Sequence, residues 1–217
     1  MKQNKNPKVS VIIDVFRAFT TACYVLEQNP KKYIYATKTG VLRECALGYT
    51  NTLFIGKNEI GANIKYDIPN SPTRVKEIMV SDKVVLHRTE AGAKGILSAK
   101  DADIILATSF VNASATVRYI KKLQNPKIKI IPMGHEATTP SIEDDICAEY
   151  IKSLLNNKNF DINPFIQELK EGPGKYFFLK DQWQYPREDF QYCLEIDKFD
   201  FAIQAELCRD HALLIRC

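Results

Sequence analysis

Short runs of apolar and β-branched residues alternate along this chain with stretches that have helical spacing. Six runs have strand length and are apolar nearly throughout, as expected when both faces of a sheet are covered. Strands that alternate with helices indicate βαβ units and a largely parallel sheet, so we predict an α/β fold with a three-layer α/β/α arrangement. The predicted strands are residues 9–16, 33–37, 52–56, 83–87, 103–108 and 127–132.

The segments between these strands predict the helices, and the C-terminal third is less regular. The predicted helices are residues 18–28, 41–47, 92–98, 112–123 and 142–155. Further along, the pattern predicts a helix, a Gly-Pro-Gly break, a short helix and two strands, at residues 164–170, 172–174, 188–193, 199–207 and 212–215. We predict one domain, residues 1–217, and leave a subdivision near residues 157–175 open.

Composition excludes several classes of protein. The 217 residues, 45% hydrophobic and 26% charged, suit a globular core and exclude a disordered tail, a collagen-like repeat and a disulfide mini-scaffold. A net charge of +4 is too mild for a dedicated nucleic-acid surface.

No stretch approaches the roughly 18 apolar residues of a membrane span, and the polar start with its short apolar run does not resemble a signal peptide. The six cysteines form no C-x-x-C pair, so we expect reduced thiols in a cytoplasmic protein.

Polar side chains collect where the predicted strands end. In open α/β sheets, ligands bind beyond the carboxyl ends of the strands, where helix N-termini also point. Glu59, Asp67 and Asp145 add carboxylates near this edge. The candidate site residues are Asp14, Arg17, Ser71, Arg88, Thr89, Gly92, Ser109, Asn112, His135, Glu136, Glu143 and Asp144.

These residue types suit an anionic ligand and a hard cation. Arg17 and Arg88 offer planar forks that bind two anionic oxygens at once. The serines stand where helices begin, beside free backbone N–H groups, and Gly92 lets backbone approach a ligand. Mg²⁺ prefers one or two carboxylates together with phosphate oxygens and water. The set therefore points to metal-assisted phosphoryl transfer.

Structural interpretations compete with these assignments. The segment 141–144 fits a helix-capping pattern, and Ser71 before a proline is typical of a helix N-terminus. Arg17 could be a surface residue of a first helical turn. Asp14 is harder to explain in this way, because a carboxylate in the run Val-Ile-Ile-Asp-Val must be paired, bound to a metal or kept at a functional cost.

Several standard motifs are absent. The chain has no G-x-G-x-x-G and no G-x-x-x-x-G-K-[ST], so nucleotide binding by either route is not supported, and no G-x-S-x-G nucleophile elbow occurs. Three histidines scattered along the chain form no zinc set. We therefore expect one or both of His87 and His135, which follow strands, to make local hydrogen bonds.

Five segments, in order, resemble signatures of the 2-phosphosulfolactate phosphatase (ComB) family. The resemblance runs from about Val11 to Phe201, and residues 189–200 also echo the C-terminal pattern of the family. Five such motifs in order are far more specific than one. The segments are residues 13–21 (IDVFRAFTT), 70–72 (NSP), 88–95 (RTEAGAKG), 109–115 (SFVNASA) and 140–145 (PSIEDD).

The resemblance implies a Mg²⁺-dependent phosphatase with a ComB-like topology. The reaction named for the family removes phosphate from 2-phospho-3-sulfolactate, a step toward coenzyme M. On this basis we expect Asp14 to be a Mg²⁺ ligand and the acids Glu143 and Asp144 to be further ligands or bases that orient a water. Arg17 and Arg88 are then expected to hold the phosphate and to stabilise charge on its oxygens.

The remaining candidates are expected to contact the substrate. His135 or Glu136 is the expected donor of a proton to the leaving alkoxide. The expected substrate-binding residues are Ser71, Thr89, Gly92, Ser109, Asn112, His135 and Glu136.

Two departures from the family pattern leave alternatives open. The family loop usually carries Ser and Thr where this chain has Glu90 and Ala93. A glutamate beside a phosphate repels it unless it turns away or binds the metal, and Ala93 lacks a hydroxyl donor. The alternatives are a catalytically inactive anion-binding homologue and a phosphatase for a different small organophosphate. A homo-oligomer is compatible with the sequence, which shows no clean heptad pattern.

Overall fold

The chain forms an α/β fold around one eight-stranded sheet, which confirms the predicted fold class. The computed structural model describes residues 6–57, 64–179 and 181–217. All eight predicted strands form, although the first ends at Ile13 rather than residue 16, so that Asp14 is the first residue beyond it. The strands are β1 (Lys8–Ile13), β2 (Lys32–Ala36), β3 (Thr52–Ile55), β4 (Val84–Arg88), β5 (Ile104–Thr108), β6 (Lys127–Pro132), β7 (Ile203–Leu207) and β8 (Ala212–Arg216).

The helices follow the predicted order, with one short addition. The unpredicted helix, α3, begins directly after Ser71, where the sequence showed only a capping signal. Three short 3₁₀ segments, Phe110–Asn112, Asn163–Phe165 and Pro173–Phe178, adjoin helices in the second half of the chain. The α-helices are α1 (Ala18–Glu27), α2 (Thr39–Ala46), α3 (Pro72–Lys76), α4 (Ala91–Ser98), α5 (Ala113–Lys121), α6 (Ile142–Leu155), α7 (Ile166–Glu171) and α8 (Arg187–Cys193).

The sheet consists of two parallel groups joined by an antiparallel hairpin. Its strand order is β3-β4-β2-β8-β7-β5-β1-β6. Strands β3, β4 and β2 pair in parallel, and so do β5, β1 and β6. The pairs β2·β8, β8·β7 and β7·β5 are antiparallel. Three antiparallel steps reverse the chain direction, so the two parallel groups run in opposite senses.

Strand ends from both parallel groups reach one region of the molecule. Residues that follow β1 and β6 in one group, and β3 and β4 in the other, line the same cavity.

Alternate residues of the strands feed apolar layers on the two faces of the sheet. In β1, Ile12 joins the core that contains α1 and α4, whereas Val11 and Ile13 join the core beneath α5 and α6. A smaller third cluster packs Leu42 of α2 against Ile34 and its neighbours in β2 and β4. This alternation produces the three-layer arrangement and fixes which polar residues emerge at the strand ends.

All six cysteines are free thiols, as the sequence predicted. In the parts of the chain that the structure describes, no helix combines the length and apolar character needed to cross a bilayer.

Candidate active site

A cavity of about 940 Å³ opens where β1, β3, β4 and β6 end. Eight of the predicted site residues and Glu90 lie in its wall. They come from the loops after three strands and from the start of α6, so residues far apart in the sequence face one space. These residues are Asp14, Arg17, Arg88, Thr89, Glu90, His135, Glu136, Glu143 and Asp144.

Asp14 lies between the N-termini of α1 and α4. Its Oδ1 atom accepts the backbone N–H of Ala18 at 3.0 Å, and the backbone N–H of Gly92 also donates to the carboxylate. A Cβ atom on Gly92 would lie 3.1 Å from Oδ2 of Asp14 and 3.0 Å from the ring of Phe19. The missing side chain of Gly92 lets α4 approach the carboxylate, and Gly92 itself lies outside the cavity wall.

The environment of Asp14 opposes its ionisation. The side chain is only 7% exposed, and burial, followed by the charge of Glu143, raises its pKa from 3.8 to about 6. The N–H groups of Ala18 and Gly92 act in the opposite direction. Asp14 is thus a carboxylate whose negative charge is only partly compensated by the protein itself.

Two further buried acids, Glu143 and Asp144, lie in the first turn of α6. Both oxygens of Asp144 accept backbone N–H groups at 2.8 Å, one from Val15 and one from Gly134. Glu143 accepts the hydroxyl of Ser141. Burial is the largest cause that raises the pKa of each acid, and for Asp144 the charges of Asp14 and Glu143 add to it.

The capping interpretation of this segment is therefore only part of the account. Ser141 stands at the helix N-cap, but its hydroxyl bonds Glu143 and makes no capping hydrogen bond to the backbone. Acids near the N–H groups of a helix N-terminus stabilise the helix. This effect does not require them to be buried beside a third carboxylate, here Asp14. Asp144 also ties the β1 and β6 loops together, which holds Asp14 close to α6.

Arg17 is fixed from several sides. Its Nη1 atom donates to Asp189 at 2.6 Å and to the backbone oxygen of Gln184 at 2.7 Å. The guanidinium lies 4.7 Å from the ring centroid of Tyr185 and 5.6 Å from that of Phe177. The side chain is 8% exposed and faces the cavity, so Arg17 is not a surface residue of the first helical turn.

Arg88 has a carboxylate partner from its own loop. Its Nη2 atom pairs with Glu90, the residue that departs from the family pattern. Thr89 lies between them in the cavity wall, and its backbone N–H donates to Ala36 at 3.2 Å. Glu90 therefore turns toward the arginine next to it and offsets part of its charge.

His135 and Glu136 stand at the rim of the cavity. They belong to a turn in which His135 exchanges backbone hydrogen bonds with Thr139, and their side chains are 73% and 68% exposed. Gly134 opens this turn with a φ of +66°, and a Cβ there would lie 2.1 Å from the carbonyl oxygen of Thr139. The turn thus requires glycine and leaves both predicted proton donors open to solvent.

Three predicted substrate contacts do not reach the cavity. Ser71, Ser109 and Asn112 are each 0% exposed and are absent from the cavity wall. Ser71 caps α3 and donates to Asp189, while Asn112 accepts from the backbone N–H of Ser109. Their polar groups satisfy buried backbone and side-chain partners, as such groups must when water is excluded, so the structure does not bring these three residues to the cavity with the other candidates.

The structure also adds wall residues that sequence reasoning missed. Asn70 belongs to the NSP segment, and its buried Oδ1 atom has no hydrogen-bond partner in the described residues. Lys57 follows β3, and Lys175 comes from the irregular C-terminal third, where no pattern singled it out. Glu59 lies outside the described residues, and Asp67 accepts the N–H of Phe54 away from the cavity.

His87 makes the local hydrogen bond that was predicted. It is fully buried, its Nδ1 atom lies 2.7 Å from the hydroxyl of Tyr33, and burial lowers its pKa to about 3. Within the described residues, no three His, Cys, Asp or Glu side chains are grouped as a ready-made metal shell. A cation bound beside these acids would therefore have to draw part of its coordination from water or ligand oxygens.

The fold and this cavity define an α/β protein with a fixed guanidinium and a buried acidic cluster facing one space, an arrangement suited to a phosphorylated ligand. Comparison with known proteins agrees with this class. The chain belongs to the family described as 2-phosphosulpholactate phosphatase, whose model matches residues 1–206. Membership places it among the phosphoric monoester hydrolases.

Relatives from distant organisms share most of its length. A probable 2-phosphosulfolactate phosphatase of Bacillus subtilis (strain 168) is 30% identical over 203 residues, which cover 91% of this chain and 87% of the relative. A second protein of that name, from Thermoplasma volcanium, is 26% identical over 92% of this chain and 90% of the relative. A third, from Synechocystis, is 28% identical over 78% of this chain and 71% of the relative.

Proposed function

We propose that the protein is a Mg²⁺-dependent phosphatase that hydrolyses a small acidic phosphomonoester, with 2-phospho-3-sulfolactate as its substrate and 3-sulfolactate and phosphate as its products. The observation that carries this proposal is the buried carboxylate of Asp14, whose pKa is raised to about 6, in one wall with the fixed guanidinium of Arg17. Family membership supports the same class of reaction.

The acidic cluster fits a divalent cation. Burial raises the pKa of Asp14, Glu143 and Asp144, and neighbouring carboxylates raise each of them further. An added positive charge would therefore favour the ionised forms of all three. Asp14 and Asp144 are the residues that would hold Mg²⁺, because the charge of Asp14 already acts on Asp144 and a cation between them relieves that repulsion, and Glu143 is then left to act as a base. When bound, Mg²⁺ supplies charge neutralisation at the phosphate oxygens.

The remaining wall residues have separate tasks in the proposed reaction. Arg17 and Arg88 bind the phosphate oxygens and stabilise the charge that develops on them. Glu143 accepts a proton from the attacking water, and its raised pKa makes it the stronger base once ionised. Water then forms a bond to phosphorus as the bond to the alkoxide breaks, and His135 or Glu136 at the rim returns a proton to that alkoxide.

One observation favours a second candidate substrate. Glu90 pairs with Arg88 and so removes part of the positive charge that a sulfonate or carboxylate would need. A phosphomonoester with fewer anionic groups is therefore the second candidate, beside 2-phospho-3-sulfolactate with its phosphate, sulfonate and carboxylate. Cytoplasmic location, homo-oligomerisation and a place in coenzyme M synthesis stay predictions from the sequence.

A panel assay tests the proposal. Phosphate release from small organophosphates, including racemic 2-phosphosulfolactate, is measured with Mg²⁺ and with a chelator. We expect Mg²⁺-dependent release, and its loss in Asp14→Asn. Asp67→Asn is the matched control, because Asp67 also accepts a backbone N–H but lies outside the cavity. Anion binding without release across the panel would favour the inactive homologue, and release that ignores the chelator would contradict the metal assignment.

A further inference from the structure

A buried carboxylate behind the cavity wall holds one of the proposed phosphate-binding arginines. Asp189, in the first turn of α8, is 0% exposed and does not line the cavity. Its Oδ2 atom accepts Nη1 of Arg17 at 2.6 Å. This carboxylate is therefore hidden from a ligand but in direct contact with a side chain that faces one.

The second oxygen of Asp189 is anchored independently. Oδ1 accepts the hydroxyl of Ser71 at 2.9 Å, and the backbone N–H and hydroxyl of Thr73 at 2.9 and 2.6 Å. The two oxygens thus divide their partners, one holding Arg17 and the other holding the start of α3. Because the anchor does not compete with Arg17 for the same oxygen, it fixes the position at which the guanidinium is held.

The bonds to Arg17 leave one edge of its guanidinium for a ligand. Nη1 is engaged by Asp189 and the carbonyl of Gln184, and the rings of Tyr185 and Phe177 limit its tilt. Among the described residues, its Nε and Nη2 atoms make no hydrogen bond, and Arg17 lines the cavity. The Nε–Nη2 edge is a fork that binds two oxygens of a phosphate at once.

We propose that Asp189 is a positioning residue for phosphate binding: it holds Arg17 with the Nε–Nη2 edge presented to the cavity before any ligand arrives. This inference rests on the proposed function, since that assigns the phosphate to Arg17. A fixed guanidinium loses little side-chain freedom when it binds an anion, whereas a free arginine loses much more. The contribution of Asp189 is thus orientation, although its charge offsets that of Arg17.

A purely structural role for Asp189 makes a different prediction. If the carboxylate only anchored the start of α3 through Ser71 and Thr73, its loss would weaken phosphate binding by the same factor whether Arg17 were present or not. If it acts through Arg17, its effect on phosphate binding disappears once Arg17 has been replaced. A double-mutant cycle separates the two roles.

The experiment compares wild type, Asp189→Asn, Arg17→Met and the double variant. Inorganic phosphate binding is measured by calorimetry, and kcat/KM is measured for phosphate release. We expect Asp189→Asn to weaken phosphate binding and to lower kcat/KM by about 10- to 100-fold in the wild-type background. In the Arg17→Met background, the same change should alter both by less than about twofold. Equal losses in both backgrounds would overturn the proposal.

Two further variants serve as a control for the loss of a carboxylate elsewhere in the fold and as a replacement for a variant that does not fold. Asp197→Asn removes a carboxylate that holds the start of α5 through the N–H of Ser114 at 2.7 Å, and we expect unchanged phosphate binding. Should Asp189→Asn not fold, Asp189→Glu replaces it, since the charge is kept but displaced by one methylene, and the same pair of outcomes applies.

The two readouts separate this inference from the proposed function. A wild type that binds phosphate but releases none from any substrate would defeat the proposed function, while the binding cycle would still decide the role of Asp189. A wild type that does not bind phosphate would overturn the inference as well.

Discussion

Asp14 is the residue on which the proposed function depends most. It follows the buried strand β1, lies between two helix N-termini and faces two other acids. Burial and the neighbouring charge raise its pKa to about 6, although backbone N–H groups favour the ionised form. A carboxylate kept in this state at a cavity wall destabilises the fold without a cation and gains most from binding one.

The raised pKa predicts how stability changes with pH and Mg²⁺. Between about pH 4 and 6, the metal-free folded state binds more protons at Asp14 than the unfolded state, so the free energy of unfolding falls as pH rises through this window. Glu143 and Asp144 shift in the same direction. Because Mg²⁺ binds the ionised form, its stabilising effect on Tm should be small near about pH 5 and large near about pH 7.5.

Thermal unfolding with and without Mg²⁺ at these two pH values checks this prediction. Asp14→Asn should flatten the pH dependence and remove most of the Mg²⁺ effect. An equal shift of Tm by Mg²⁺ at both pH values would show that the cation does not bind at the titrating acids.

A substitution at Gly92 tests whether the close approach of α4 to Asp14 matters for phosphate release, and it leaves every polar side chain in place. A methyl group there would lie 3.1 Å from Oδ2 of Asp14 and 3.0 Å from Phe19, so the carboxylate, the Phe19 ring or α4 must shift by a few tenths of an ångström. We expect Gly92→Ala to lower Mg²⁺-dependent phosphate release by about tenfold or more. Gly40→Ala is the control, because Gly40 in α2 has open space around its Cβ position, and it should leave the rate unchanged. Equal rates in the two variants would refute this account of Gly92.

At the scale of elements, residues that follow the strands divide into two groups. The loops after β1, β4 and β6 direct side chains into the cavity, whereas the turn between β5 and α5 directs Ser109 and Asn112 back into the fold. The sequence predicted that polar residues stand at these turns, because local patterns show where strands end. It could not predict which way they point, because the direction depends on partners distant in sequence, as with Ser71 and Asp189.

The turn after β5 therefore predicts a loss of stability and not of substrate affinity. The side chain of Asn112 accepts from the N–H of Ser109 and the hydroxyl of Thr108, and donates to the carbonyl of Ala107. We expect Asn112→Ala to cost about 2–4 kcal/mol of unfolding free energy, because buried partners are left unsatisfied. Urea unfolding measures this cost.

Two comparisons complete the test of Asn112. Asn156→Ala, which removes one exposed hydrogen bond at the end of α6, should cost less than about 0.5 kcal/mol. The KM of folded Asn112→Ala should stay close to that of wild type. A large increase in KM without a loss of stability would restore Asn112 as a substrate contact.

At the scale of the whole molecule, the C-terminal hairpin joins two parallel groups that run in opposite senses. Strand β8 pairs with β2, and β7 pairs with β5, so the hairpin lies in the middle of the sheet. The sequence predicted both strands, and with them the α/β class. It did not predict their central position, because pairing between residues about 100 apart leaves no local pattern in the chain.

The hairpin should therefore carry much of the stability of the fold. Leu214 of β8 is 3% exposed and belongs to the core with α1 and α4, whereas its neighbour Ile215 is 39% exposed on the opposite face. We expect Leu214→Ala to cost about 2–4 kcal/mol and Ile215→Ala less than about 1 kcal/mol, measured by urea unfolding. Similar small costs for both would mean that β8 is peripheral to the cooperative unit.

The measurement that tests the central claim most directly is a Mg²⁺ titration of phosphate release from 2-phosphosulfolactate, carried out on wild type and Asp14→Asn near about pH 7.5. We expect saturable release that rises with Mg²⁺ in wild type and falls by at least about a hundredfold in a folded Asp14→Asn variant. Equal Mg²⁺-dependent rates in the two proteins would show that the carboxylate of Asp14 does not hold the cation, and would contradict the account at its centre.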